Sequence, residues 1–152
     1  KYFVKKRMKS GNAYYNLIKK LKTDLLISQE VPKNYIHSYF TFAALFEGEK
    51  YGIKWKEFRK KFIKFGGDGI YAAWQIVSEE PCFLNARLKG LYSGSMKLSE
   101  SYGWGETPIA KKMQKKIMQF TTNQKNDLEI KKQIVALRKT INFFEKKIKV
   151  KK

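Results

Sequence analysis

The 152 residues predict a small α+β fold, a two-layer sandwich in which a mostly antiparallel sheet is covered by helices. Three observations carry this expectation. Apolar residues recur at spacings of three and four in stretches near the start, middle and end of the chain. Between them lie short β-rich apolar runs that are too brief for comfortable helices. Apolar residues make up 43% of the chain and aromatics 15%, enough for a packed core and too much for global disorder. The length suits one domain, or one lobe of something larger.

Residues 5–22 read as a helix, because Tyr14, Leu17, Ile18 and Leu21 fall on one face with lysines between them. Gly11 weakens its first half. Val31-Pro32-Lys33-Asn34 breaks the chain. Ile36 to Phe46 reads as a strand, apolar on both sides in its second half and therefore central in a sheet, with His37 within it in a structural role. Trp55, Phe58, Phe62 and Phe65 mark a second helix, stopped by Gly66-Gly67. Gly69 to Val77 is a second strand-like run. Periodicity fades over the loop 78–105, where a short helix from Phe83 to Leu91 would fit. Thr107-Pro108 opens another helix, with Thr107 as N-cap and Ile109, Met113 and Ile117 on its buried side. Met118 to Thr121 reads as a short edge strand. Asn126 and Glu129 form a capping pattern ahead of Ile130, Ile134, Leu137, Ile141, Phe144 and Ile148, the clearest helical repeat in the chain. The organisation expected is a helix over 1–22, a compact lobe over 23–145 and a frayed basic tail over 146–152.

The chain carries 33 Lys or Arg against 13 Asp or Glu, a net charge of +20. Such a balance attracts nucleic acid, an anionic membrane surface or a phosphorylated ligand. Only Arg7, Arg59, Arg87 and Arg138 are arginines, however, and base-reading surfaces favour Arg. Solvated lysine is the simpler account, and a nucleic-acid partner is not the expectation. One His and one Cys leave no His-pair metal motif and no disulfide framework. Gly66-Gly67-Asp68-Gly69 lacks the Lys-Ser/Thr of a phosphate loop. Cys82 has no neighbouring base, and Glu79-Glu80 would point opposite ways on a strand. No catalytic residue and no metal site is assigned. No apolar run approaches the ~20 residues that span a bilayer and no signal peptide is visible, so a cytoplasmic setting without a membrane partner is expected.

Four segments, in order, resemble the C-terminal lobe of the DegT-type sugar aminotransferases, which are fold-type I enzymes. They are Arg7 with Tyr14-Tyr15-Asn16; Tyr35-Ile36-His37-Ser38-Tyr39-Phe40, similar to a Y-x-H-S-Y strand; Glu57-Phe58-Arg59 followed by Gly69-Ile70, Trp74 and Pro81-Cys82-Phe83; and Pro108-Ile109-Ala110-Lys111 followed by Met118-Gln119-Phe120. The resemblance covers about residues 5–145. It departs from the family where Ser78 and Glu80 stand for the usual loop His and Gln, and where Lys111 replaces the usual Glu.

The resemblance implies a pyridoxal 5′-phosphate enzyme that moves an amino group from glutamate to a keto group on a nucleotide-diphosphate sugar. It also implies a homodimer when intact. In that family the Schiff-base lysine and the phosphate-holding residues belong to a large N-terminal domain, so this chain, which begins at Lys1, is expected to be a fragment that binds no cofactor and is inactive alone. The residues expected to line the substrate cleft are Tyr71, Trp74, Gln75 and Trp104, as stacking faces and a hydroxyl-binding amide. Tyr71 and Trp74 also suit core packing on a strand, and Lys89 and Lys97 could approach a diphosphate. Two other readings stand beside this one: a free-standing basic module for nucleic acid, and a cofactor-dependent sugar dehydratase of the same family. The lobe should expose an apolar face where its large domain would meet it.

Overall fold

A computed structural model describes residues 1–72, 75–77, 80 and 107–150. The elements run α1 (Tyr2–Leu21), β1 (Leu26–Ser28), β2 (Phe42–Phe46), a 3-10 turn (Gly48–Tyr51), α2 (Trp55–Lys64), β3 (Ile70–Ala72), α3 (Pro108–Gln114), β4 (Ile117–Phe120) and α4 (Asp127–Val150). The chain divides into two compact units, Lys1–Tyr71 with Ile117–Lys152, and Ala72–Lys116. In the first unit the four strands form one sheet in the order β1-β2-β4-β3, and both β1–β2 and β2–β4 are antiparallel. This is the α+β sandwich that the helical and strand-like stretches predict.

One alternation sets the layers. Along β2, Phe42, Ala44 and Phe46 are buried while Ala43 and Leu45 are not. The register carries the same alternation to the neighbours: Phe42 faces Phe120, Ala44 faces Met118, and Phe46 faces Leu26, all buried. Against that face α1, α2 and α4 bring aromatic side chains. Tyr14 stacks on Phe42 at 5.3 Å between ring centroids and lies at the same distance from Phe120. Phe62 meets Phe120 edge-on at 5.7 Å. Phe58 sits between Phe46 and Phe144, at 5.4 and 5.7 Å. Burying each such ring contributes about 2–3 kcal/mol.

The ends of the helices follow from local chemistry. At the end of α2, Gly66 takes φ 90, and the Gly67 amide donates to the Phe62 carbonyl at 3.0 Å. A side chain at Gly67 would collide with the Phe62 ring. At the start of α4, the Glu129 amide donates to Asn126 Oδ1 at 3.0 Å, and Glu129 Oε2 accepts from the Lys125 amide at 2.8 Å.

Several expectations are corrected. The run from Ile36 to Phe40 is not a strand, and only Phe42–Phe46 pairs. Tyr39 adopts φ 51, a left-handed conformation that no ladder accommodates. β4 lies between β2 and β3, so it is not an edge strand. Ile117 belongs to β4 and not to the preceding helix, and Ile109 is exposed rather than buried. Thr107 stands at the N-cap of α3 without a side-chain capping bond. α4 continues to Val150, so residues 146–150 are helical. β1 has no counterpart among the expected elements.

Tyr14 is 1% exposed, and burial pushes its phenol up, with the Asp68 carboxylate acting in the same direction. In the unfolded chain the phenol loses its proton near the ordinary value of 10.0, whereas the folded chain retains it. The unfolded state therefore binds fewer protons above pH 10, and stability falls as pH rises there by up to about 1.4 kcal/mol per pH unit for this group. Urea unfolding of wild type and Tyr14→Phe at pH 8 to 11 should show the steeper alkaline loss in wild type only.

Candidate functional site

The sheet has a second face. By the same alternation, Ile27, Ala43, Leu45, Ile117 and Gln119 stand opposite the helices, with Ile27 paired to Leu45, Leu45 to Ile117 and Ala43 to Gln119. None of them is fully buried, and Ile27 is 50% exposed. A hollow of about 240 Å³ opens there, floored by Ile27, Ala43, Leu45 and Ile117 and rimmed by Ser28 and Gln29. Thr41 and Gln119 share a hydrogen bond at 3.2 Å on its flank. This surface is chemically quiet. It offers apolar area and a few amide and hydroxyl groups, and no group of acids, His or Cys suited to a metal occurs among the described residues.

At one end of the sheet the chain is held in a strained turn. The Tyr39 amide donates to His37 Nδ1 at 2.8 Å, which requires the neutral imidazole with its proton on Nε2, 3.3 Å from Gln29 Oε1. The two rings stack at 4.1 Å. Thr122 Oγ1 donates to the Tyr39 carbonyl at 2.7 Å and lies 3.0 Å from that of Phe40. The Arg7 guanidinium donates to the Phe40 carbonyl at 2.5 Å and covers the Phe40 ring. The Tyr39 ring rests on Gly11, where any Cβ would overlap it. A non-glycine residue in this conformation costs about 1–3 kcal/mol, which these contacts offset. They leave Tyr35, Ile36 and Phe40 in solvent.

The glycine run after α2 is a junction. The Asp68 amide donates to Gln133 Oε1 at 2.7 Å, and Asp68 Oδ2 accepts from Thr121 Oγ1 at 3.1 Å and lies 3.4 Å from Gln124 Nε2. Arg59 Nε donates to the Ile70 carbonyl at 2.9 Å, tying α2 to β3. This is the stop and turn expected of a segment that lacks the features of a phosphate loop.

Of the expected cleft residues, Tyr71 lies on β3 and is 57% exposed, on the side opposite the buried Ile70. That excludes it from the core. Gln75 is exposed and belongs to the second unit. Trp74 and Trp104 lie outside the described residues, as do Cys82, Lys89, Lys97 and all of the loop 78–105 except Glu80. The hollow at Ile27 and Leu45 is a feature that residue-level reasoning did not locate. Its only signal was the apolar character of both faces of β2.

No protein-family model matches the chain, and no curated protein matches it. Arg7 binds Phe40, Arg59 binds Ile70, and Phe120 pairs with Phe42.

Gly11 gives a sharp test of the strained turn. Alanine is the better helix former by about 1 kcal/mol, so in a tolerant site Gly11→Ala would stabilise α1. Here it should destabilise the protein by about 1–3 kcal/mol in urea unfolding, because the Tyr39 ring must move.

Proposed function

We propose that this chain is the C-terminal lobe of a pyridoxal 5′-phosphate-dependent aminotransferase that acts on nucleotide-linked keto-sugars with glutamate as amino donor. The observation that carries the reading is the one-sided sheet. Three helices cover one face, while the other presents Ile27, Ala43, Leu45 and Ile117 as a shallow apolar floor. A lobe that closes one side of a cleft needs such a face, and the ordered segments from Arg7 to Phe120 resemble those of the lobe in question.

The described residues do not suit the cofactor itself. No lysine is among the buried polar or charged residues, so none sits where a Schiff base would be shielded from water. The cofactor belongs, in this reading, to a large domain of the parent protein. In this reading the chain contributes position: it docks on the large domain, orients the substrate and helps exclude water around it. Tyr71, exposed on β3, offers an aromatic face to a sugar or base. Trp74, Gln75 and Trp104 keep the cleft-lining roles that the resemblance implies.

Two measurements test the proposal. The coding sequence upstream of Lys1 should encode an α/β domain with a Schiff-base lysine, and the parent protein should form 2-oxoglutarate from glutamate in the presence of a nucleotide-linked keto-sugar. A start codon directly before Lys1, or a parent protein inert in that assay, would overturn it. Ile27→Lys should change the stability of the isolated chain by less than about 1 kcal/mol, because the position is half exposed. In the parent protein the same change should lower activity at least tenfold, since it buries a charge at the docking face.

A further inference from the structure

We propose that the outer surface of the helical layer, where α4 meets α2, adsorbs to anionic lipid bilayers. The charge on this surface is ordered along α4. Lys132, Lys139 and Lys146 are exposed and seven residues apart, so they form a line with a repeat of about 10.5 Å along one stripe of the helix. Phe143 lies on that stripe, 40% exposed, and it fixes the neighbouring helix against it: Lys61 Nζ sits 3.7 Å from the Phe143 centroid, and Phe65 meets Phe143 edge-on at 6.5 Å. The Lys132 stem passes 3.4 Å from where a Cβ on Gly66 would lie, so the line continues onto the end of α2, where Lys60 and Lys64 are exposed.

The carboxylates of α4 are elsewhere. Asp127 is bound by Lys9 at 2.6 Å, Glu129 caps the first turn, and Glu145 is half-buried beside a hollow lined by Leu21, Lys22 and Ile148. From Lys131 to Val150 the exposed positions of α4 include no acid. Clusters of four to eight basic groups on one helical surface attract acidic headgroups, each Lys near the surface adding to the affinity.

Nucleic acid fits the same surface less well. The face of Phe143 is already occupied by Lys61, which removes the exposed stacking platform that single strands use. Arg138 is the sole arginine of α4, and lysine is a poor reader of base edges. The bilayer contact is electrostatic and superficial: among the described residues no helix is long and apolar enough to cross a membrane. The sequence-based expectation of no membrane partner rested on the lack of a spanning segment, and surface adsorption needs none.

The test is co-sedimentation of the protein with phosphatidylcholine vesicles and with vesicles containing about one-third phosphatidylserine. Binding to the acidic vesicles alone, weakening as salt rises, is expected. The triple variant Lys132→Glu, Lys139→Glu, Lys146→Glu should bind about a hundredfold more weakly. A charge-matched control, Lys5→Glu, Lys33→Glu, Lys54→Glu, should stay within about threefold of wild type, with circular dichroism verifying that both variants fold. Equal loss in the two variants would reduce the effect to net charge and overturn the proposal. So would equal binding to neutral vesicles, or tighter binding of duplex DNA than of acidic vesicles through the same three lysines. None of these outcomes depends on aminotransferase activity, so the two proposals stand or fall separately.

Discussion

The structure depends on the alternation along β2. Five residues commit Phe42, Ala44 and Phe46 to one side and Ala43 and Leu45 to the other. Because side chains alternate strictly along a strand, a slip of one residue would send three core groups to the open face. Register is therefore fixed by burial, and both neighbours obey it, with Leu26 and Phe120 turned to the same side. The helices then have no choice of where to pack. Tyr14, Phe58 and Phe62 meet the face on which Phe42, Phe46 and Phe120 receive them ring to ring. The other face carries Ile27, Ala43, Leu45 and Ile117, small and aliphatic groups that stay partly exposed.

What the sequence made legible follows the range of the interactions. Helical repeats are local, so α1, α2 and α4 can be read from spacing, and so can the Gly66 stop and the Asn126 cap. β1 escaped because three residues next to a helix end carry no period of their own. β4 was legible as a strand but not as an interior one, since its place between β2 and β3 is decided by pairing across about 75 residues with Phe42 to Leu45. The error at Ile36 to Phe40 has a different source. The β-rich composition of that segment is real, but the ring of Tyr39 is seated on Gly11, and this distant contact wins over local propensity. Of the expected cleft residues, Tyr71 proves accessible. The hollow beside Leu45 arises from the register of three strands, which no single segment encodes.

The same contact gives Gly11 a reason to exist. A glycine in the middle of a 20-residue helix is unfavourable taken alone. Here it is the floor for an aromatic ring whose backbone is left-handed, held further by His37 and Thr122. The cost to α1 and the strain at Tyr39 are thus two parts of one arrangement. It joins the first helix to the segment that enters β2, and it sets Phe40 against Arg7.

The charge pattern is consistent with this division of labour between faces. The open sheet face is apolar: Ile27, Ala43, Leu45 and Ile117 stand there and no lysine is among them. Basic groups gather on the helical layer, where long side chains can lie along the surface with their ammonium groups in water. α4 shows the result most clearly: its apolar stripe, from Ile130 through Leu137 and Ile141 to Phe144, faces inward, and its lysines occupy the remainder. The two faces thus differ in kind: one is neutral and apolar, while the other is cationic, with its lysine stems lying along the helices.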